Sequence, residues 1–380
     1  MKIVFVGGGA ATLIAANLLK REKPNYQIII VDKKPRLGRK LSMTGNGKCN
    51  LAPIKDDVNA YNHPEFVNGL FFDIPLEQYL KVLQELGIPT TKIRDQGYYP
   101  VSENAANVVD ILINNLLRQK VTIINDEVID YKNTTLRLKL NGELAADKIV
   151  FATGGRSYEN TGSDGLFFNV LNKHGYLIKP LKAALCPIKI KENIKLLFGA
   201  RNHASMSLIN EKGETVYQED GEIMFKKDAL SGIAMMNMSS YIVHYPGSYQ
   251  IKVDFLKDKE FAPNDFMTTL DTLLGYVSRP IADYLLHLGS ISPIELTVAH
   301  KNKLQKLLSN LVFTYDSLYG FESAQVTSGG LDLGETEMNF QSKREKDIYF
   351  IGEMLDIDGM CGGYNLRFAI TSGIKLVKSL

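Results

Sequence analysis

Met1-Lys-Ile-Val-Phe-Val-Gly-Gly-Gly9 runs into Ala10-Ala-Thr-Leu-Ile-Ala-Ala-Asn-Leu-Leu19, and Gln27-Ile-Ile-Ile-Val-Asp32 follows. An apolar strand breaks into glycines, a helix follows by composition and spacing, and a second apolar strand ends on an acid. Gly7 and Gly9 take the first two glycine positions of a G-x-G-x-x-G turn, where backbone can approach a pyrophosphate. The helix N-terminus adds free N–H groups and positive dipole charge, and Asp32 is placed to bond a ribose hydroxyl. Thr12 stands at the third position, which serves close helix–strand packing. The expectation is a helix pushed slightly outward, with the phosphate-binding part untouched.

Outward from this unit, bulk properties bound the answer. A chain of 380 residues is long enough for two or three domains and a large core. Its hydrophobic (45%) and charged (23%) fractions are those of a soluble globular protein, and a net charge of +2 gives no global polyanion signal. The opening apolar run is too short for a signal peptide, and no stretch approaches the roughly 20 apolar residues of a membrane span. Cys49, Cys186 and Cys361 are few and far apart. No C-x-x-C pair or Cys/His cluster suggests a metal, and a reduced, cytoplasmic setting is the simplest reading.

The first part of the chain reads as α/β. Leu76 to Leu86 has helical apolar spacing and stops at Gly87. Ser102 is read as the cap of a helix whose face is Ala105, Val108, Val109, Leu112 and Leu116. Strands are expected at Val121–Ile124, Leu136–Leu140 and Lys148–Phe151, with Asn141-Gly142 as a hairpin turn between the last two. From about Leu181 the texture changes to short alternating runs: Ala204–Ile209, Glu222–Phe225 and Gln250–Val253. Turn residues Lys212-Gly213 and Pro246-Gly247 separate them, which suggests a small antiparallel sheet or barrel. Pro263 to Leu311 looks helical. The end returns to α/β, with a buried-strand pattern at Ile348-Tyr-Phe-Ile351 and a final helix from about Leu366 to Leu380. The expected architecture is one nucleotide domain built from both chain ends (1–180 with 322–380). Inserted into it are a β, barrel-like domain (181–258) and a helical subdomain (259–321).

Four glycine-rich stretches carry the chemistry. The first is Gly7–Ala11 with Asp32. The second, Gly38-Arg-Lys-Leu-Ser-Met-Thr-Gly-Asn-Gly-Lys-Cys-Asn50, mixes flexible glycines with Arg39, Lys40 and Lys48, cations able to neutralise phosphate. A solvated surface loop is the alternative. The third, Ala152-Thr-Gly-Gly155, ends a strand at the carboxyl edge where open α/β sheets bind ligands, or is a plain strand exit. The fourth is Gly352-Glu353, then Asp356, Asp358 and Gly359, then Gly362-Gly-Tyr-Asn-Leu366 at the start of the last helix. It suits a ribityl chain and the electron-rich edge of a flavin. Asp356 and Asp358 lack the ligand spacing of a calcium loop.

These stretches, in this order, resemble the bacterial aminoacetone oxidase family of FAD-binding flavoproteins, whose members are also described as NAD(P)/FAD-dependent oxidoreductases. The family pattern G-R-K-L-x-x-T-G-x-G-R-C-N is met by Gly38–Asn50, with Lys48 for Arg. A-T-G-G-x-S-Y-P-x-T-G-S is met by Ala152–Ser163, with Glu159 for Pro. G-E-L-L-F-T-x-x-G-L-S-G is met by Gly221–Gly232, with Lys226 for Thr and Ala229 for Gly. V-T-x-G-G-V and G-E-x-L-D-x-D-G-x-x-G-G-Y-N are met by Val326–Leu331 and Gly352–Asn365.

The resemblance spans essentially the whole chain and implies FAD on a discontinuous Rossmann-type domain. It implies that Gly7, Gly9, Ala10 and Ala11 meet the pyrophosphate. Asp32 binds the adenosine ribose, Lys33 sits near the adenine, and Val128 contacts the adenine through its backbone. Arg39, Lys40, Thr44 and Gly45 run along the phosphate and flavin side. Gly352, Glu353, Gly363, Tyr364 and Asn365 close around the isoalloxazine, and the third stretch adds Ala152, Thr153 and Gly154.

No second G-x-G-x-x-G lies on a strand–helix junction. This favours an oxidase that returns electrons to O2, or an enzyme that meets NAD(P)H transiently. The family name implies oxidation of a small primary amine, aminoacetone, to methylglyoxal, ammonia and hydrogen peroxide, with Tyr364 and Glu353 as catalytic candidates. An alternative is NAD(P)H-dependent formation of dihydrouridine in ribosomal RNA. Lys226-Lys227 and Lys301, Lys303 and Lys306 would then form a phosphate-binding face rather than a solvated one. A third reading is a non-catalytic FAD-binding interaction protein. His63, His203 and His300 have no partners at useful spacing. Cys49 and Cys361 both fall in cofactor motifs and are candidates for a redox pair.

Overall fold

The computed structural model describes residues 1–93, 96–257, 259–263 and 267–380, and the chain divides into two compact units. One joins Met1–Lys182 to Gln325–Leu380, and the other is Ala183–Ala324.

The first unit is built on a five-stranded parallel sheet. Its strands are β1 (Lys2–Val6), β2 (Gln27–Asp32), β3 (Thr122–Asn125), β4 (Lys148–Phe151) and β5 (Ile348–Phe350), in the order β5-β4-β1-β2-β3. β1 pairs Val6 with Val31 on one side and with Phe151 on the other, so three strand ends lie at one carboxyl edge. Parallel strands covered on both faces need continuous apolar sequence. Ile3, Val4 and Phe5 supply it and are fully buried.

Helix α1 (Ala10–Glu22) packs against α2 (Ala105–Arg118) and against the last helix, α3 (Tyr364–Val377). Thr12 is wholly buried and its hydroxyl has no hydrogen-bond partner among the described residues. The close approach that a third glycine would allow occurs elsewhere: a Cβ on Gly373 of α3 would lie 2.6 Å from the Ala11 carbonyl oxygen. The α2 face Ala105, Val108, Val109, Leu112 and Leu116 is buried as its spacing predicts. Its cap is Asn104 rather than Ser102, because the Asn104 Oδ1 accepts from the N–H groups of Ala106 and Asn107. The helix Leu76–Glu85 ends at Gly87, whose φ of +89° lets the Ile88 N–H reach back to the Leu83 carbonyl.

The hairpin also differs from the sequence reading. The turn before Gly142 joins Thr135–Leu138 to an additional strand, Gly142–Ala145, and not to β4. With Val128–Lys132 these make a separate three-stranded antiparallel sheet. Asp126 fastens its turn by accepting from the N–H groups of Leu140 and Asn141 and from the Asn141 amide.

The second unit is a closed six-stranded barrel. In order its strands are Ile188–Ile190, Ala229–Ser231, Thr215–Phe225, Arg201–Asn210, Tyr249–Asp254 and Leu311–Leu318. Closure removes unpaired edges, and alternation sends Met206, Leu208, Ile223, Ile251, Val253 and Phe313 inward. A helix absent from the sequence reading, Ile233–His244, follows the Gly232 turn. The stretch read as helical from 263 to 311 contains Thr269–Leu274, Arg279–Gly289 and Val298–Ser309. Its residues 264–266 lie outside the described residues, as does residue 258 at the expected end of the β insert. Leu285, Leu304 and Leu308 from these helices share one hydrophobic cluster with barrel Phe313.

Candidate cofactor-binding site

A cavity of about 380 Å³ opens at the carboxyl edge of the parallel sheet, inside the first unit. That size falls within the range of small-molecule sites. The structure brings sixteen of the nineteen sequence-predicted residues to its wall: Gly7, Gly9, Ala10, Ala11, Asp32, Lys33, Arg39, Lys40, Thr44, Val128, Ala152, Thr153, Gly154, Gly352, Glu353 and Asn365. Gly45, Gly363 and Tyr364 lie outside the lining.

The turn after β1 explains its glycines. Gly7 has φ +95°, and a Cβ there would stand 2.4 Å from the Ala152 carbonyl oxygen. A Cβ on Gly9 would meet nothing within 4 Å. This backbone leaves room for a bulky group at the start of α1, where the first N–H groups have no intrahelical acceptor. Asp32 braces the turn: its carboxylate accepts from the Gly8 N–H at 2.7 Å and from the Lys34 N–H at 2.7 Å. Burial pushes this carboxyl above the usual aspartate value, against the pull of those N–H groups and of Lys33 and Lys34. Each oxygen keeps lone-pair capacity for a hydroxyl donor.

The cations divide in two. Lys40 Nζ donates to Glu353 at 2.7 and 2.8 Å and to Ser157 Oγ at 2.6 Å, so its capacity is spent within the wall. Glu353 also accepts from Ser157 Oγ and from the Thr327 N–H, both at 3.2 Å. Thr327 Oγ1 in turn accepts from the N–H groups of Arg156 and Ser157. One network thus ties the second, third and fourth glycine-rich stretches together. Arg39 is exposed on the rim, and its guanidinium has no partner among the described residues. Lys33 is paired with Asp164 at 2.6 Å, and Lys48 lies away from the cavity, paired with Glu103.

Left-handed backbone shapes the second stretch at Gly38, Gly45, Asn46, Gly47 and Cys49. Cys49 is fully buried, and burial pushes its thiol up to about 11, which disfavours the reactive thiolate. None of the three cysteines is in a disulfide, and among the described residues no acidic, His or Cys cluster could hold a metal.

At the C-terminal end Gly363 has φ +95° and caps α3. Asn365 is fixed through its amide to the Gly359 backbone, accepting at 2.9 Å and donating at 2.7 Å. Tyr364 is half-buried with its ring edge-on to Tyr61, and burial pushes its phenol up.

Sequence reasoning gave no role to several wall residues, among them Asp126, Asp164, Phe167, Gln325, Ile357 and Phe368. Asp164 directly follows the Ala152–Ser163 motif, Gln325 directly precedes Val326–Leu331 and Ile357 lies inside Gly352–Asn365, which were usable signals; Asp126, Phe167 and Phe368 carry none. The donor set fits an FAD. A glycine cradle that a Cβ would fill, a free helix N-terminus, an acid at the end of the second strand and an apolar wall stand along one cavity.

The sequence matches the family described as HI0933-like protein Rossmann domain over residues 1–378. It is 31% identical to a 3-dehydro-bile acid delta(4,6)-reductase of Clostridium scindens, over 98% of this chain and 97% of that protein. It is 26% identical to a ribosomal RNA dihydrouridine synthase of Escherichia coli, over 99% and 97%. Among solved structures, an E. coli quinol fumarate reductase aligns with a TM-score of 0.51 at 13% identity, covering 100% of this chain and 70% of that one. A 3-ketosteroid delta1-dehydrogenase of Sterolibacterium denitrificans aligns at 0.50 and 12%, covering 99% and 98%. Those likenesses concern the fold. No helix among the described residues is long and apolar enough to cross a membrane.

Proposed function

The chain belongs to the HI0933-like Rossmann-domain family and is an FAD-dependent oxidoreductase; from that premise we propose that it reduces a carbon–carbon double bond conjugated to a carbonyl. The observation that carries this reading is end-to-end similarity to two reductive enzymes. Their names describe one chemistry, since a 3-oxo-4,6-diene and a uracil ring both present a double bond polarised by a carbonyl. NAD(P)H is the proposed electron donor.

FAD, when bound, supplies the hydride chemistry. The α1 N-terminus with Gly7, Gly9, Ala10 and Ala11 holds the pyrophosphate. Asp32 takes the ribose hydroxyls, with Lys33 and Val128 beside the adenine. Arg39, which has no partner among the described residues, is the cation on the phosphate side, along the run to Thr44 and Gly45. Lys40 and Glu353 act on each other, so we assign Glu353 to holding the wall rather than to moving protons. Ala152, Thr153, Gly154, Gly352 and Asn365 would surround the ring system, with Gly363 as the cap that starts α3 behind them. Reduction needs a proton at the carbon next to the carbonyl. We assign it to Tyr364, a phenol that carries its proton at neutral pH and stands next to Asn365 of the wall; burial pushes it further up.

The test is anaerobic. Protein reduced with NAD(P)H is mixed with a 3-oxo-4-ene steroid or a uridine-containing ribosomal RNA fragment, and return of flavin absorbance is followed. Reoxidation by either, slowed ~100-fold or more in Tyr364→Phe, supports the reading. Reoxidation by neither, with air still effective, contradicts it.

The missing second dinucleotide motif favours a second reading, oxidation of aminoacetone with O2 as acceptor. Peroxide released on aerobic turnover with aminoacetone would establish it, and none at full FAD occupancy would remove it. Ribosomal RNA as a partner belongs to the first reading, and an unchanged dihydrouridine content in a deletion strain would exclude it.

A further inference from the structure

Arg367 is the largest fully buried side chain among the described residues, and the cavity chemistry above makes no use of it. It sits on α3 one turn beyond Gly363, whose carbonyl accepts its N–H at 2.9 Å. Its Nε and one terminal nitrogen grip Asp56 at 2.9 and 2.8 Å. The same nitrogen donates to the Ile74 carbonyl at 2.7 Å, and the other terminal nitrogen donates to Thr371 Oγ1. The guanidinium lies between two rings, 4.1 Å from the centroid of Phe71 and 4.5 Å from that of Tyr79. Tyr79 passes the connection on, because its hydroxyl donates to the Leu51 carbonyl at 2.6 Å.

These contacts have a direction. A Cβ on Gly363 would stand 2.7 Å from the Ala52 carbonyl carbon, so the α3 N-terminus rests on the segment that follows the Gly38–Asn50 stretch. Tyr61 adds a hydrogen bond to the Tyr364 carbonyl at 2.8 Å. Asp56, Leu51 and Ala52 belong to one run of chain, and Arg367 with Gly363 faces it from α3. A buried guanidinium persists only where carboxylate and carbonyl acceptors replace water; here Asp56 and Ile74 supply them from segments packed against α3, whose first turn reaches the cavity wall through Asn365 and Leu366.

We propose that Arg367, locked on Asp56, is a positioning residue that sets where the α3 N-terminus stands against the FAD ring system, and thereby sets the affinity and midpoint potential of the bound FAD. The inference rests on the FAD reading above. The helix dipole acts only over its first turn, so a small displacement of Gly363–Asn365 changes the field at the ring without touching the ligand.

The decisive variant is the double exchange Arg367→Met with Asp56→Leu. It removes both charges together and leaves no unpaired ion to unfold the unit. Arg367→Lys, which keeps the charge but not the fork, accompanies it. Each protein is stripped of FAD, checked for folding by its thermal transition, titrated with FAD and measured for midpoint potential. The expected results are FAD binding weakened by ~10-fold in the double variant, a lowered potential, and intermediate values for Arg367→Lys. Wild-type affinity and potential in a folded double variant would overturn the proposal. So would wild-type values in Arg367→Lys if only that protein folds. If the wild-type chain itself takes up no FAD, it is the cofactor reading that fails.

Discussion

Residues 1–182 with 325–380 bury Asp126, Glu335, Asp356, Asp358 and Arg367, whereas the described residues of 183–324 bury no charged side chain, only serines, threonines and Asn237. Backbone conformation divides the same way. Of the glycines held at left-handed φ, only Gly199, Gly213 and Gly232 belong to the barrel unit. The barrel is specified by apolar alternation and closure, which many sequences satisfy. The nucleotide unit is specified by particular residues at particular positions, because its walls must meet a ligand with backbone and fixed charge. Substitutions in the two units should therefore fail differently.

The largest separation is expected between two core changes. Gly7→Val forces a side chain onto the Ala152 carbonyl at an unfavourable φ. FAD affinity should fall at least ~100-fold, read by fluorescence titration of folded protein. Phe313→Ala in the barrel should cost about 3–5 kcal/mol of stability in denaturant unfolding, while the remaining folded molecules bind FAD as before. An FAD defect in Phe313→Ala at full folding would break the comparison.

Lys40→Met tests the network of the wall. It leaves the Glu353 carboxylate with the Ser157 and Thr327 donors alone. FAD binding should weaken ~10-fold, and Lys40→Arg should recover part of it by restoring the charge.

The smallest expected effect is at Asp126. Burial alone would raise its carboxyl, but the N–H donors of Glu127, Leu140 and Asn141 and the Asn141 amide outweigh burial and hold it below the usual 3.8. A depressed acid contributes stability above its unfolded value and loses it as pH falls through the folded one. Asp126→Asn should thus cost about 1–2 kcal/mol near pH 7. The gap to wild type should close as the solution becomes more acid than the ordinary aspartate range. A gap independent of pH would mean that the loss is steric.

The same contrast explains what the sequence disclosed. The β1–α1–β2 unit was legible because each part has a local cause: apolar strands, glycines that steric contact demands, and an acid that braces the turn. The α2 face was legible from its spacing, but its cap was not, since Ser102 and Asn104 are both good caps and only backbone geometry chooses. The helix Ile233–His244 escaped because its buried side mixes Asn237, Ser239 and Ser240 with Met235, Met238 and Ile242 while Ile233 is exposed, so it shows no amphipathic period. The strands Val128–Lys132 and Gly142–Ala145 pair with their neighbour Thr135–Leu138 and lack a clean apolar alternation of their own, whereas Leu311–Leu318 is held by pairing with the distant strands Ile188–Ile190 and Tyr249–Asp254. Arg367 was invisible for the same reason: one arginine in a helix reads as surface until Asp56, more than three hundred residues earlier, is seen opposite it.

The central claim, that both ends of this polypeptide hold one FAD, is tested most directly by reconstituting the stripped protein with excess FAD and measuring bound flavin per chain. The account predicts one FAD per chain in the wild type, and loss of binding from a bulky residue at either Gly7 or Gly363. A folded wild-type protein that stays colourless, or full occupancy in the Gly363 variant, would contradict it.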